Sequence, residues 1–183
     1  MNSPNYFIIT PKGERYNNTK KIGDTEILVN NNIEDGHKTN REGIVVATPM
    51  GYDGDVEVGD TIIVHHNTFR LMRNQRGVLV NSAKHIKDNL FYADTYYLRI
   101  DKEGNKYSAN PYVFLKPIVI DDFIHGYKEH DNIGEVVFTN SKLEDIGITK
   151  GKKYLFKNYR NVRYDIDGET YYRMKFDDLV AEI

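Results

Sequence analysis

Apolar residues along this chain come in short runs closed by Gly, Asn, Asp or Pro, with little of the 3.6-residue spacing that marks an amphipathic helix. Tyr6, Phe7, Ile8 and Ile9 form the first run, which Pro11 stops. Residues 44–47 form the next, stopped by Pro49. Residues 56–58 lead through Gly59-Asp60 into the run 61–64, a strand–turn–strand signal. Residues 65–94 fit two patterns. Segments 69–72 and 78–80 read as hairpin arms around 74–77, and 83–90 reads as one short helix. Residues 96–100 and 107–115 flank the turn 101–105. Further on, 135–138 and 154–156 are strands. Segments 163–166 and 170–174 flank Asp167-Gly168, a pair that supplies the positive φ of a two-residue hairpin turn. Leu179, Val180, Ala181 and Ile183 close the chain. This spacing predicts an all-β fold of small barrels or a sandwich, with little helix.

One stretch breaks the pattern. Residues 12–42 are polar and rich in Asn, interrupted by single apolar residues such as Ile22 and by one apolar triplet, Ile27-Leu28-Val29. A segment of some 30 residues is too long for an idle connection in a compact domain. Two readings of its apolar triplet stay open: a buried strand, or an anchor presented to a partner from a polar loop.

Two parts of the chain follow the same script. Gly43-Ile-Val-Val-Ala47 precedes Val56-Glu-Val-Gly-Asp60 and an apolar strand. Gly134-Glu-Val-Val137 precedes Ile148-Thr-Lys-Gly-Lys152 and another apolar strand. In that order, the elements at 134–137, 148–152, 154–159, 164–174 and 178–183 resemble the GroES-type co-chaperonins. The N-terminal copy matches at 6–10, 43–48 and 56–64, then departs with an insert at about 69–94.

The resemblance implies GroES-like small irregular β-barrels, two in tandem, over residues 1–116 and 117–183. It implies a homo-oligomeric ring in which Tyr6, Phe7, Ile8 and Ile9 of one subunit pair with Leu179, Val180, Ala181 and Ile183 of the next. Both runs would otherwise be exposed sheet edges. It also implies a mobile loop that binds a GroEL-type chaperonin through an apolar tripeptide. Ile27, Leu28 and Val29 fall in the corresponding interval. Ile118, Val119 and Ile120, at the start of 117–133, are the secondary candidates. Val78-Leu79-Val80 is a third apolar triplet, out of place in the order. The roof hairpin of the family is replaced by short connections, as in roofless phage-encoded relatives.

Composition narrows the alternatives. Fourteen Tyr and 8 Phe exclude a disordered chain. No run approaches the length of a membrane helix, and no secretory leader is visible, so a cytoplasmic protein is expected (the host cytoplasm if phage-encoded). Zero cysteines exclude disulfides and thiolate chemistry. A formal charge of −2 gives no general argument for nucleic acid, although Arg70, Arg73, Arg76, Lys84 and Lys87 make the insert locally basic. His65-His66, read as strand neighbours, point to opposite faces and do not share a metal. His125 and His130 lie among acidic residues without a zinc spacing. Asp165-x-Asp167-Gly168-Glu169 lacks the later ligands of a calcium loop. No phosphate loop or nucleophile elbow occurs. The expectation is a binding protein with no cofactor, no metal and no catalytic residues. The second reading is a structural or accessory phage protein, virion or assembly, built on the same β scaffold.

Overall fold

The computed structural model describes residues 2–16, 19–22, 25–28, 39–122, 126–158 and 160–183. The fold is all-β, and the α-helix among the described residues is one short turn, Ser141–Asp145 (α1). None of the described helices is long and apolar enough to cross a membrane. The chain divides into two compact units, Met1–Asn105 and Lys106–Ile183. The boundary lies before the one expected after residue 116, because residues 112–122 form a single strand that belongs wholly to the second unit.

The first unit contains β1 (Phe7–Pro11), β2 (Thr19–Ile22), β3 (Thr25–Leu28), β4 (Glu42–Ala47), β5 (Thr61–Ile63), β6 (Leu71–Arg73), β7 (Leu79–Asn81), β8 (His85–Lys87), β9 (Leu90–Ala93) and β10 (Leu98–Ile100). Its main sheet runs β10-β5-β4-β1-β9-β8, while β2-β3 and β6-β7 are separate two-stranded sheets. The second unit contains β11 (Lys106–Ser108), β12 (Tyr112–Asp122), β13 (Gly126–Phe138), β14 (Lys153–Phe156), β15 (Val162–Ile166), β16 (Glu169–Lys175) and β17 (Leu179–Glu182). Its sheet runs β17-β14-β13-β12-β16-β15.

These two orders are the same order. Pro11 faces Gly43, which faces Ile62; Pro117 faces Gly134, which faces Tyr154. Val45 donates to the Asp60 carbonyl at 2.8 Å and accepts from Gly59 at 2.9 Å; Val136 donates to Lys152 at 2.8 Å and accepts from Gly151 at 2.9 Å. Gly59 and Gly151 both sit at positive φ, +96° and +84°, as this turn requires. The β8–β9 turn places Asp88 at φ +48°, and the β15–β16 turn places Asp167 at φ +53°. The cores also correspond. Phe7, Ile9, Val45, Val56, Ile62, Val64, Phe91 and Ala93 occupy the positions of Val113, Leu115, Val136, Ile148, Tyr154, Phe156, Tyr172 and Met174. The echo read in the sequence is a structural repeat.

The repeat revises two expectations for residues 65–94. The run 83–90 is not a helix, because β8 and β9 form the counterpart of the β15–β16 hairpin. Buried Phe91 and Ala93 alternate with less buried Leu90 and Tyr92, a period of two that a helix would not satisfy. The true addition to the first unit is therefore shorter than 69–94. It comprises a single 3₁₀ turn, His66–Thr68, and the β6–β7 hairpin. The expected turns at 74–77, 101–105 and 167–168 are present.

Each sheet is closest-packed at the repeated glycine. A Cβ on Gly43 would lie 2.8 Å from Ile9 Cδ1 and 3.1 Å from Phe69 Cζ. On Gly134 it would lie 2.9 Å from Leu115 Cβ and 3.2 Å from the Lys116 carbonyl oxygen. Ile9 Cδ1 can rotate away; a Cβ and a backbone oxygen cannot. Gly43→Ala should cost about 1 kcal/mol and Gly134→Ala about 3 kcal/mol, the span usual for overpacking. Urea unfolding of the two variants measures the difference, and equal midpoints would remove the distinction.

Candidate partner-binding site

The interval between β1 and β4 is held shut at its base. Asn40 is buried, and its side-chain Nδ2 donates to the carbonyls of Lys12 and Glu14 at 2.8 and 2.9 Å. Its Oδ1 accepts from the Glu42 N–H at 2.9 Å. The Asn40 N–H donates to Arg15 at 2.9 Å, and Tyr16 bridges Thr39 antiparallel. An amide is the one short side chain with donors and an acceptor in this arrangement. Residues 12–16 and 39–42 thus prolong the β1–β4 ladder, so the excursion starts from a fixed neck.

Within the excursion, Ile27 faces Lys20 and Leu28 faces Thr19 in the β2–β3 hairpin. Neither stands in an irregular loop as the mobile-loop reading expects. The described backbone there is an antiparallel ladder running from the Thr19–Leu28 pair to the Ile22–Thr25 pair. Val29 lies outside the described residues.

The neck also grips the second hairpin. Arg15 Nε donates to the Phe69 carbonyl at 2.8 Å, and Nη1 donates to Asn81 Oδ1 at 2.8 Å. The guanidinium lies 5.0 Å from the centre of the Phe91 ring. Burial pushes its pKa down, with Tyr16 opposing. The Tyr16 hydroxyl accepts from the Leu71 N–H. Phe69 and Asn81 bracket β6 and β7, so two adjacent neck residues fix the base of the β6–β7 hairpin. Its far end is closed by Asn74, whose Oδ1 accepts from Arg76 and Val78 at 2.9 and 3.0 Å. Between these ends Met72, Val78, Leu79 and Val80 are all exposed, Val78 to 56%.

The remaining expected positions resolve differently. Ile118, Val119 and Ile120 are not in a loop. They lie in β12, where Val119 faces Glu129 and Ile120 faces Lys128 across the ladder to β13; Val119 is exposed. Tyr6 precedes β1, exposed, with its ring 4.9 Å from that of Tyr92. Phe7, Ile8 and Ile9 are buried, and β1 pairs with β4 on one side and β9 on the other. They cannot serve as the expected edge for a neighbouring subunit, because that strand has no open side. Leu179, Val180 and Ala181 lie in β17, paired with β14 on one side and last in the sheet order on the other. Val180 and Ile183 are exposed.

His65 and His66 do not diverge as strand neighbours would. His65 caps the 3₁₀ turn, its Nδ1 accepting from Asn67 at 3.1 Å, and the two rings lie 4.1 Å apart. No group of three metal-binding side chains meets among the described residues. His125 lies outside them. A shallow pocket lined by Glu57, Asp60, Arg99, Asp101, Lys102 and Glu103 is structural at its heart. There buried Asp60 accepts from Arg99 Nε at 2.6 Å and from the Glu57 N–H at 2.9 Å.

Sequence reasoning missed Arg15, Tyr16 and Asn40, whose partners lie up to 66 positions away along the chain. It noted Val78-Leu79-Val80 and set it aside. The signal in its favour was local: an Asn74–Gly77 turn between apolar arms, in a stretch with no acidic residue.

Asn40→Asp tests the neck. It keeps an acceptor for Glu42 but turns a carboxylate oxygen toward two carbonyls. A loss of about 2–3 kcal/mol is expected in urea unfolding at neutral pH, at least as large as for Asn40→Ala. Arg15→Lys, which cannot form the fork, should cost about 1–2 kcal/mol. Unchanged midpoints in both would show that the neck carries no stability.

A scan against protein-family models found no match, and a search of curated proteins found none.

Proposed function

We propose that this chain is a GroES-like co-chaperonin, a binding protein that caps a GroEL-type chaperonin in a nucleotide-dependent way and assists protein folding. On this reading ATP hydrolysis belongs to the partner, and the cap acts by binding one partner state better than the other. The working form is a homo-oligomer in the cytoplasm, the host's if the gene is a phage's.

One observation carries the reading. The excursion with Ile27 and Leu28 springs from between the first two strands of the repeated sheet, β1 and β4, and its neck is fixed by Asn40. That is the place at which the family resemblance puts the chaperonin-binding segment. A short apolar triplet among polar residues gives a partner groove a modest contact, released when the partner changes state. Several copies in one assembly would add avidity. The ring contact expected from β1 is not part of the proposal, since that strand is paired on both sides.

Size exclusion with light scattering tests the reading on the protein mixed with a GroEL-type chaperonin from its own source, with and without ATP or ADP. The expected result is a nucleotide-dependent shift into the chaperonin peak. Replacing Ile27, Leu28 and Val29 together by Ala should abolish the shift and leave the β spectrum unchanged. A folded protein that never joins the peak would move the assignment to the structural or accessory reading.

A further inference from the structure

We infer that the β6–β7 hairpin is an assembly prong that pairs with the outer edge of β17 on a second copy of this chain. This goes beyond the chaperonin reading and does not depend on it.

Three observations point there. The first is backbone. β6–β7 is an isolated two-stranded sheet, and β17 is the last strand of its sheet. Among the described residues both present unpaired N–H and C=O groups, which readily accept another strand. β7 has three residues and β17 four, so the whole of β7 can pair along β17.

The second is apolar surface. Val78 and Val80 alternate with Leu79, and all three are exposed; Val180 is exposed to 63%. The hairpin buries almost none of its own apolar side chains. Its fold is held instead by Arg15, Tyr16 and Asn74, which leaves those side chains available.

The third is charge. Residues 61–87 hold five Lys or Arg and no Asp or Glu, so the remainder of a chain of formal charge −2 carries −7. Residues 176–183 hold Asp177, Asp178 and Glu182 and no Lys or Arg. Glu182 pairs with Lys152 at 2.8 Å and Asp178 with Lys157 at 3.5 Å, and among the described residues Asp177 makes no side-chain ion pair. On the prong, Arg73 and Arg76 are exposed, and among the described residues neither is ion-paired; Arg73 Nη1 donates to the Gly77 carbonyl at 2.8 Å. The other open edges fit less well. β8 carries His85 and Lys87, and β15 balances Arg163 against Asp165, whereas β17 carries Glu182 with no basic residue and follows directly on Asp177 and Asp178. A polyanion such as nucleic acid or an anionic membrane would be repelled by the −7 of the remainder.

The contact is heterologous, prong to edge, so it propagates from copy to copy and closes only as a ring. Each junction is small and therefore weak alone.

Sedimentation velocity over a concentration series, without any chaperonin, tests the inference. Wild type should self-associate, less so in high salt. Arg73→Glu with Arg76→Glu should weaken association about tenfold or more, and so should Asp177→Arg with Glu182→Arg. Mixed in equal amounts, the two variants should associate again, because each reversed prong then meets a reversed edge. Val180→Asp, at an exposed position, gives a second acceptor variant whose folding is not at issue and should also weaken association. A wild type that stays monomeric, variants that associate like wild type, or a mixture that does not recover would overturn it. So would binding of an oligonucleotide or anionic vesicles through the prong without self-association.

Discussion

Both halves of this protein depend on one close approach between strands, at a position where a side chain must be missing. In each unit a proline of one strand pairs with a glycine of the next, and an aliphatic side chain two residues before that proline folds over the glycine: Ile9 over Gly43, Leu115 over Gly134. This pairing sets the register of the strands that follow. With it fixed, Val45 and Val136 point into the core, and the Gly59 and Gly151 turns bring the next strand back against them. A slip of one residue would turn every core side chain outward. The glycine therefore does more than relieve a clash, because it allows only one alignment of the central strands.

The repeat also shows where material has been added. The second unit joins its central strands directly, as the β12–β13 hairpin. The first unit opens the same connection into a neck and a separate β2–β3 hairpin, and adds β6–β7 between β5 and β8. Neither addition enters the sheet. Both are tied to it by polar side chains, Asn40 for one and Arg15 with Tyr16 for both. Fixing the β6–β7 hairpin by hydrogen bonds at the base leaves its apolar residues outside the core, which suits surfaces meant for other molecules better than surfaces meant for stability.

Much of this was legible in the sequence for a physical reason. The runs around Asp167-Gly168, Gly59-Asp60 and Gly151 combine alternation with residues that permit positive φ, and local signals of that kind survive folding. The echo between 43–64 and 134–156 was legible because the same close approach needs the same glycine. What was hidden depends on distance. That β1 has both sides paired follows from β9, more than 80 residues away along the chain, and no local pattern reports it. A short apolar run with a proline reads as an edge until its second partner is known. The short helix assigned to 83–90 failed similarly, because two three- or four-residue strands separated by Asp88-Asn89 give too little alternation to show their period. The chaperonin-contact candidates were legible only as apolar triplets, a signal that β3, β7 and β12 share although their surroundings differ.

Those surroundings follow from how each hairpin is stabilised. Residues 118–120 belong to a long ladder that continues the central strands of its own sheet, so the sheet itself orders them. The β6–β7 arms have only each other and a base held by Arg15 and Tyr16. A two-stranded ribbon in water is marginal without a face to bury. In this protein the missing burial is replaced at the base by a forked guanidinium and at the tip by an Asn that accepts two backbone N–H groups. Such supports hold a backbone in shape without covering it. The apolar side chains between them, placed in a stretch free of acidic residues, therefore stay exposed in a single copy of the chain.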